Sequence, residues 1–386
     1  MNVEFADRVK RLPPYLFAEI ERATKEKKAQ GVDLISLSIG DPDLPPPPFI
    51  IDSFKKEVAN LKNHNYSFSQ GEPDFRQAVA DWCKTRFQVD LSSDEVVALL
   101  GSKEGLANIA RAFVNAGDRV LVPDPGYPVY NNGGTILNDG IPVSMPLLQE
   151  NGFKPDFGAV HPEKVKMMFL NYPNNPTAAT VDKRFLKEAV EFARENNVIL
   201  CYDNAYSEVT FDGYKAPSIL EIDGAMDVAV EFHSLSKTFN MTGARIAFAV
   251  GNKQLISGLT RIKSQIDSGP PVYTQKVAVK ALASYKSRGA PAFLRKNNQI
   301  LRERRDLLVE TLCRIGYKCE KPKATFYVWV NCKGDSMKFA TKLLDVGVAV
   351  TPGIGFGKHG EGYARITFTQ PKERIKEACG RIASVF

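Results

Sequence analysis

The residues best suited to chemistry lie in the segment 234–245, which reads Ser-Leu-Ser-Lys-Thr-Phe-Asn-Met-Thr-Gly-Ala-Arg. Apolar runs at 227–233 and 245–251 flank it and predict two buried strands. A loop between buried strands is where an α/β fold positions functional groups. Lys237 lies in this loop near a second cation, Arg245, which favours the neutral amine that attacks carbonyl carbons. The segment predicts a lysine nucleophile of the kind that Schiff-base and pyridoxal phosphate (PLP) enzymes use, with a solvated loop lysine as the alternative.

A carboxylate ends another predicted strand. The run 198–203, Val-Ile-Leu-Cys-Tyr-Asp, is apolar until Asp203 at its carboxyl end. A buried carboxylate is costly without a partner, and the protonated nitrogen of a pyridine ring would be such a partner. The ion pair would keep the ring electron-withdrawing, as carbanion chemistry requires. Another strand, 165–170, leads into Asn-Tyr-Pro-Asn-Asn-Pro-Thr at 171–177, a loop rich in side-chain amides.

A glycine turn predicts an anion site. The sequence 101–105, Gly-Ser-Lys-Glu-Gly, follows a predicted strand at 95–100 and precedes a predicted helix at 106–115. The free N–H groups and the dipole at a helix N-terminus attract phosphate, and Ser102 and Lys103 add a hydroxyl and a cation.

These segments together resemble the fold-type I aminotransferases of class I/II, which are PLP enzymes. The resemblance rests on Ser-x-Ser-Lys-x(7)-Arg at 234–245, Asp-x-Ala-Tyr at 203–206 and Asn-Pro-Thr at 175–177. Seven segments follow the family's order over about residues 30–370. One of them, Tyr-x(4)-Gly-x(4)-Arg from Tyr66, resembles the family segment whose tyrosine reaches the phosphate of the neighbouring subunit.

The resemblance implies a role for each matching residue. Lys237 would be the catalytic residue, bonded to PLP and acting as general base and acid. The implied cofactor-binding residues are Ser102, Lys103, Tyr127, Asn175, Asp203, Tyr206, Ser234, Ser236, Lys237 and Arg245, with Tyr66 from the partner subunit. The implied substrate-binding residues are Gly40, Asn175 and Arg365, with Arg365 on the α-carboxylate. The partners implied are an amino acid, a 2-oxo acid and a second copy of the chain.

The fold implied is α/β. We expect a large PLP-binding domain over residues 46–290, with a mostly parallel sheet flanked by helices. A smaller α+β domain would be made from both termini, with residues 1–45 as an arm and part of that domain and 291–386 as the rest. Helices are further predicted at 14–28, 49–62, 77–86, twice within 253–288, and at 291–315, 336–346 and 371–384. Strands are further predicted at 34–39, 118–123, 321–330, 348–350 and 363–368.

Several short sequence segments are most similar to those of the LL-diaminopimelate aminotransferase subgroup, which serves lysine synthesis. They include Ile-Gly-Asp-Pro-Asp-Leu at 39–44 and the segments 101–105, 171–178 and 233–243. The chain also departs from the sequences typical of the family and the subgroup. Ala178 follows Asn-Pro-Thr, Ala244 precedes the arginine, and the segment 264–271 is unusual. No arginine for a distal carboxylate is found near position 264, and Lys263 is a candidate substitute.

Alternative functions therefore stay open. The most favoured is amino transfer between LL-diaminopimelate and 2-oxoglutarate. A general aspartate, alanine or glutamate aminotransferase and an N-succinyl-diaminopimelate aminotransferase are the next candidates. A PLP lyase or decarboxylase on the same fold, or a non-catalytic ligand-binding relative, is less favoured.

The composition of the chain argues against several other classes of protein. The chain has 386 residues, 44% of them hydrophobic and 25% charged, and a net charge of +7 without a concentrated basic block. This predicts no nucleic-acid partner and no membrane span. Six scattered cysteines and four histidines predict neither a disulfide framework nor a metal site. With no secretory signal at the N-terminus, we expect a cytoplasmic enzyme.

Overall fold

A seven-stranded sheet forms the centre of the molecule in the computed structural model, which describes residues 3–14, 22, 24–27 and 29–386. Most of the helix predicted at 14–28 lies outside the described residues. Among the described residues the strands are β1 Ile35–Ser36, β2 Val96–Leu99, β3 Arg119–Asp124, β4 Ile141–Pro146, β5 Val165–Asn171, β6 Ile199–Asp203, β7 Ala229–Ser234, β8 Ala247–Gly251, β9 Tyr327–Asn331, β10 Val348–Ala349, β11 Thr351–Pro352 and β12 Tyr363–Thr367.

Helices cover both faces of this sheet and the C-terminal region. Their bounds are Asp7–Lys10, Pro48–Ala59, Pro73–Phe87, Ser102–Phe113, Pro128–Asn131, Lys183–Glu195, Ala225–Val228, Leu235–Thr238, Lys253–Lys263, Val272–Leu282, Ala292–Arg314, Ser336–Asp345 and Lys372–Ala383.

The central sheet has the order β2-β8-β7-β6-β5-β3-β4. β3 to β7 are parallel to one another, and β8 runs antiparallel to both of its neighbours. The inner strands are buried along almost their full length, because helices cover both faces. The predicted α/β class with a mostly parallel sheet is confirmed.

The smaller sheets join the two ends of the chain. β1 pairs in parallel with β10, so residue 35 lies beside residue 348. β11, β12 and β9 form a separate antiparallel sheet, which the helix Ala292–Arg314 connects to the large sheet. This pairing agrees with a smaller unit drawn from both termini, while the exact limits at 45/46 and 290/291 stay a prediction.

Some element boundaries differ from the sequence prediction. One helix begins at Pro73 rather than at 77, since proline suits the first helical turn. Another begins at Ser102 rather than at 106, so Ser102 and Lys103 belong to its first turn. β4 was not predicted: it is an edge strand with two prolines, and most of its residues are exposed or half-buried.

Candidate active site

A cavity of about 480 Å³ opens at the carboxyl end of the central sheet. Because parallel strands end at the same edge, β5, β6 and β7 each deliver their last residue there. The N-terminus of the helix Ser102–Phe113 and the β9 and β12 strands complete the walls. The lining residues are Ile39, Gly40, Asp41, Gly101, Ser102, Lys103, Tyr127, Tyr130, Asn171, Asn175, Asp203, Ala205, Tyr206, Ser234, Ser236, Lys237, Thr242, Arg245, Tyr327 and Arg365.

Lys237 lies at the base of this cavity. It belongs to the short helix Leu235–Thr238, not to an irregular loop as predicted, and Ser234 caps that helix by accepting a 3.2 Å hydrogen bond from the Ser236 N–H. The Lys237 ammonium donates a 3.0 Å hydrogen bond to the carbonyl oxygen of Gly40.

The pKa of Lys237 is lowered to about 8. Burial is the main cause, and the nearby cations Arg365 and Arg245 lower it further, whereas Asp41 raises it. Sequence reasoning named Arg245 as the cause, but burial contributes more and Arg365 is the larger of the two cationic effects. An amine with this pKa supplies a substantial neutral fraction near neutral pH.

Asp203 lies at the end of β6, buried beneath the cavity. Its Oδ2 accepts a 2.8 Å hydrogen bond from the Tyr130 hydroxyl, and its Oδ1 accepts a 3.3 Å bond from the Ala205 N–H. Burial raises the pKa of Asp203 to about 6, while these two hydrogen bonds and His233 act in the opposite direction. The carboxylate has no basic side chain bonded to it among the described residues, so a cationic ligand group would relieve its desolvation.

One end of the cavity is suited to an anion. Gly101 has a φ of +92°, and a Cβ there would lie 2.3 Å from Nη2 of Arg245, so the close approach requires glycine. Arg245 donates hydrogen bonds to the carbonyl oxygens of Thr242 at 3.0 Å and Leu100 at 3.2 Å. With Ser102 and Lys103 in the first helical turn, this region combines free N–H groups, hydroxyls and two cations.

Arg365 and Asn175 meet on the side formed by the C-terminal sheet. Arg365 is 2% exposed and donates to Oδ1 of Asn175 at 2.7 Å and to the carbonyl oxygen of Ser38 at 2.6 Å. Its guanidinium also lies 4.3 Å from the Tyr327 ring centroid. A fixed, planar guanidinium in a cavity suits a carboxylate ligand.

Tyr206 and Gly40 both lie next to the Tyr327 side chain. The hydroxyls of Tyr206 and Tyr327 are 2.8 Å apart. A Cβ on Gly40 would lie 2.1 Å from the Tyr327 hydroxyl, which explains why glycine stands at this position. Tyr206 therefore lies in the cavity, as predicted, but with a hydroxyl partner that the sequence did not indicate.

Tyr127 and Tyr66 differ in their placement. Tyr127 lines the cavity, with the Lys103 ammonium 5.8 Å from its ring centroid. Tyr66 is 95% exposed and is not among the lining residues of its own chain. The other predicted site residues all line this one cavity.

Sequence reasoning missed part of the site. Tyr130, Tyr327, Asp41 and Thr242 line the cavity without having been singled out. Tyr130 stands three residues after Tyr127, so the pair Tyr-Pro-Val-Tyr was a usable signal. The suggestion that Lys263 binds a distal substrate carboxylate is wrong. Lys263 is fully buried, bonded to Glu104 and Asp267, and outside the cavity lining.

Comparison with known proteins identifies the family to which a chain with these site residues belongs. The family model described as aminotransferase class I and II matches residues 32–382. The chain belongs to the class I and II aminotransferases. It is 50% identical to an LL-diaminopimelate aminotransferase of Desulforudis audaxviator, covering 99% of this chain and 98% of that protein. It is 47% identical to the protein of the same name from Aquifex aeolicus, covering 99% of each.

Solved aminotransferases and related chains share the fold. Substrate-bound BacF from Bacillus subtilis aligns with a TM-score of 0.93 at 36% identity, covering 100% of this aminotransferase and 98% of that chain. The aspartate aminotransferase of Thermus thermophilus with maleate aligns with a TM-score of 0.93 at 28% identity and covers 100% of both chains. In the described part of this aminotransferase, no helix combines the length and the apolar character needed to cross a bilayer.

Proposed function

We propose that this aminotransferase uses PLP to move an amino group between LL-diaminopimelate and 2-oxoglutarate. The observation that carries the proposal is full-length similarity, at 50% identity, to an enzyme named for that donor. The cavity agrees with the reaction class, because it brings together a lysine of lowered pKa, a buried carboxylate and an anion-binding end.

The residues fit PLP at each of its polar groups. Asp203 would hold the pyridine nitrogen, since its raised pKa reflects a buried carboxylate in need of a cation. The phosphate would be held by the anion-binding end, with Ser102, Lys103, Ser234, Ser236 and Arg245. Asn175 and Tyr206 would hold the phenolic oxygen, and Tyr127 would cover a ring face. Bound PLP supplies an electron-withdrawing ring that stabilises negative charge at the substrate α-carbon.

The chain's own groups then perform binding and proton transfer. Arg365 would bind the substrate α-carboxylate and fix the amino acid above Lys237, using the guanidinium that Asn175 and Ser38 hold in position. Lys237 would take the proton from the substrate α-carbon and deliver it on the cofactor side, so that Nζ is both base and acid. Its burial lowers the pKa of the amine to about 8, which increases the neutral fraction available for that task.

The proposed active unit is a homodimer with shared sites. Tyr66 is 95% exposed, and the nearby apolar side chains Leu61, at 85%, and Phe68, at 65%, are also uncovered. Large apolar groups exposed together favour contact with another protein surface. A second copy covering this region would bring Tyr66 to the phosphate end of its neighbour's cavity, which is the role its sequence pattern implies. We include in the proposal the domain limits 1–45, 46–290 and 291–386, and cytoplasmic action.

A general aspartate aminotransferase is the second candidate. Its support is the Thermus thermophilus aspartate enzyme, which has the same fold over its whole length at 28% identity. The two candidates differ in the donor's distal group, which is a carboxylate in aspartate and an amino acid group in diaminopimelate. The cavity contains Asp41, a carboxylate suited to the distal ammonium of diaminopimelate, a group that aspartate lacks. This feature favours the diaminopimelate reaction.

The test is a donor comparison with 2-oxoglutarate as acceptor. The PLP-loaded protein is given LL-diaminopimelate, aspartate, alanine or N-succinyl-diaminopimelate, and glutamate formation is measured. The proposal predicts the highest kcat/KM with LL-diaminopimelate. A higher value with aspartate or the succinylated donor would reject the substrate assignment. Continuous consumption of the donor without added 2-oxo acid, measured separately, would indicate a lyase instead.

A further inference from the structure

A second cleft, of about 440 Å³, lies away from the Lys237 cavity and shares none of its lining residues. Residues 210–215, the connection 288–290 and one face of the helix Ala292–Arg314 form most of it, and Arg86 and Glu208 complete the lining. That face carries Arg295, Asn298, Gln299 and Arg302, whose spacing places them on one side of a helix.

The cleft contains five cationic side chains and two carboxylates, the cations being Arg86, Lys215, Arg288, Arg295 and Arg302. Both carboxylates already have partners. Glu208 accepts a 2.9 Å bond from Arg86 and a 2.7 Å bond from the Tyr285 hydroxyl. Asp212 accepts a 2.6 Å bond from Arg305, which is fully buried outside the cleft.

The remaining cationic side chains of the cleft have few hydrogen-bond or ion-pair partners. Lys215 and Arg302 make no hydrogen bond or ion pair through their side chains to other described residues. Arg295 donates only to the carbonyl oxygen of Ala290, at 2.6 Å, and Arg288 is 3.7 Å from Glu221 at the margin. The positive end of the helix Ala292–Arg314 faces the same connection and adds to the positive potential. Concentrated positive charge in a concave surface attracts multivalent anions.

A buried hydrogen-bond acceptor in the cleft sets a second requirement for the ligand. Asn298 donates from Nδ2 to the carbonyl oxygen of Glu208 at 2.8 Å. Its Oδ1 is buried and has no hydrogen-bond partner among the described residues. A ligand hydroxyl or a protonated acid group would satisfy this oxygen, whereas a second unprotonated anion oxygen would not.

We propose that this cleft is a binding site for a small multivalent anion of the polycarboxylate or phosphate type. The anion would join the helix Ala292–Arg314 to residues 210–215. That segment bonds to the C-terminal region, since Phe211 N–H donates to Lys323 O at 2.8 Å and Thr325 N–H donates to Val209 O at 2.9 Å. Lys323 and Thr325 lie four and two residues before Tyr327 of the Lys237 cavity, so anion binding would stiffen backbone that leads into that cavity. The inference does not depend on the donor that the enzyme uses.

Calorimetric titration of the PLP-loaded enzyme tests the site, with citrate and inorganic phosphate as separate probes at constant ionic strength. The variant Lys215→Gln/Arg302→Gln removes the two cations that make no side-chain hydrogen bond or close ion pair to other described residues. The variant Arg184→Gln/Lys187→Gln removes the same charge from an exposed helix and is the matched control, since those side chains are 88% and 67% exposed. We expect a saturable site in the wild type and the control that is weakened about a hundredfold in the cleft variant, because two charge-assisted bonds are lost and each is worth about a factor of ten.

Hydrogen exchange locates the bound probe. Protection of amides in 210–215 and 288–299 by citrate or phosphate is expected for the wild type and the control and lost in the cleft variant. Saturation by either probe with this pattern supports the site, and the tighter probe identifies the ligand type. Equal affinity in all three proteins, or protection confined to the Lys237 cavity, would overturn the proposal.

Discussion

The Tyr130 hydroxyl donates a 2.8 Å hydrogen bond to Oδ2 of Asp203, and both side chains are buried. Tyr130 is itself fixed by stacking on Phe169, with ring centroids 5.3 Å apart. The bond opposes the effect of burial, which raises the pKa of Asp203 to about 6. Tyr130 thus helps to keep an anion where the proposed pyridine nitrogen binds.

Replacing Tyr130 with phenylalanine should weaken PLP binding, most strongly at low pH. Without the hydrogen bond the pKa of Asp203 rises above about 6, so the carboxylate becomes neutral at a higher pH than in the wild type. A hydrogen bond to a charged group is worth about 1.5–3 kcal/mol, which predicts roughly 10- to 100-fold weaker PLP binding. Fluorescence titration of PLP at several pH values measures this. Tyr172→Phe is the control, because its hydroxyl bonds to the carbonyl oxygen of Phe153 instead. Equal PLP affinity in both variants would contradict the role of Tyr130.

The pKa of Lys237 predicts how fast the apoprotein takes up PLP. Only the neutral amine attacks the PLP aldehyde, and burial lowers the pKa of this amine to about 8. The attachment rate should therefore rise with pH around a midpoint of about 8. Stopped-flow absorbance over a pH series measures the midpoint. A midpoint near 10.5, the ordinary lysine value, would mean that the amine is solvated rather than buried.

Lys263 should matter for stability and not for the choice of donor. It is fully buried and bonded to Glu104 at 3.0 Å and to Asp267 at 2.8 Å. Replacement by methionine leaves these carboxylates without their cation and should lower the free energy of unfolding by about 3–5 kcal/mol. Urea unfolding measures that loss, and donor KM values measure selectivity. A raised KM for a dicarboxylic donor with unchanged stability would restore Lys263 as a substrate residue.

Shared active sites predict complementation between two inactive variants. Tyr66→Ala damages the site of the partner, whereas Lys237→Ala damages the site of its own chain. A hybrid dimer then has one site with both changes and one intact site. After unfolding and refolding an equal mixture, about a quarter of the wild-type sites should be active, because half of the dimers are hybrids. Each variant refolded alone is the control. No recovery in a mixture proven to contain hybrids would place Tyr66 outside the shared site.

Much of the fold could be predicted from the sequence because the inner strands are continuous apolar runs that end in polar residues. Asp203 and Ser234 end β6 and β7, and the sheet's parallel order brings these ends together. β4 could not be predicted, since an edge strand needs little apolar character and Ile141–Pro146 contains two prolines.

The contacts within the site were less predictable. The Tyr206–Tyr327 and Tyr130–Asp203 hydrogen bonds join residues 121 and 73 positions apart, and no local pattern specifies such pairs. The helical conformation of Lys237 was also missed, because Leu235–Thr238 is a single turn held by the Ser234 cap. Burial as the main cause of the lowered pKa of Lys237 required knowledge of what packs around it.

The most direct test is a half-reaction with LL-diaminopimelate and no 2-oxo acid. The PLP-loaded protein is mixed with an excess of the donor, and the cofactor absorbance and released 2-oxo acid are followed. We predict conversion to pyridoxamine phosphate with one equivalent of 2-oxo acid for each active site. Lys237→Ala, which should fold normally, should show no such conversion. A protein that does not convert with LL-diaminopimelate, or a Lys237→Ala variant that converts as fast as the wild type, would contradict amino transfer at this cavity.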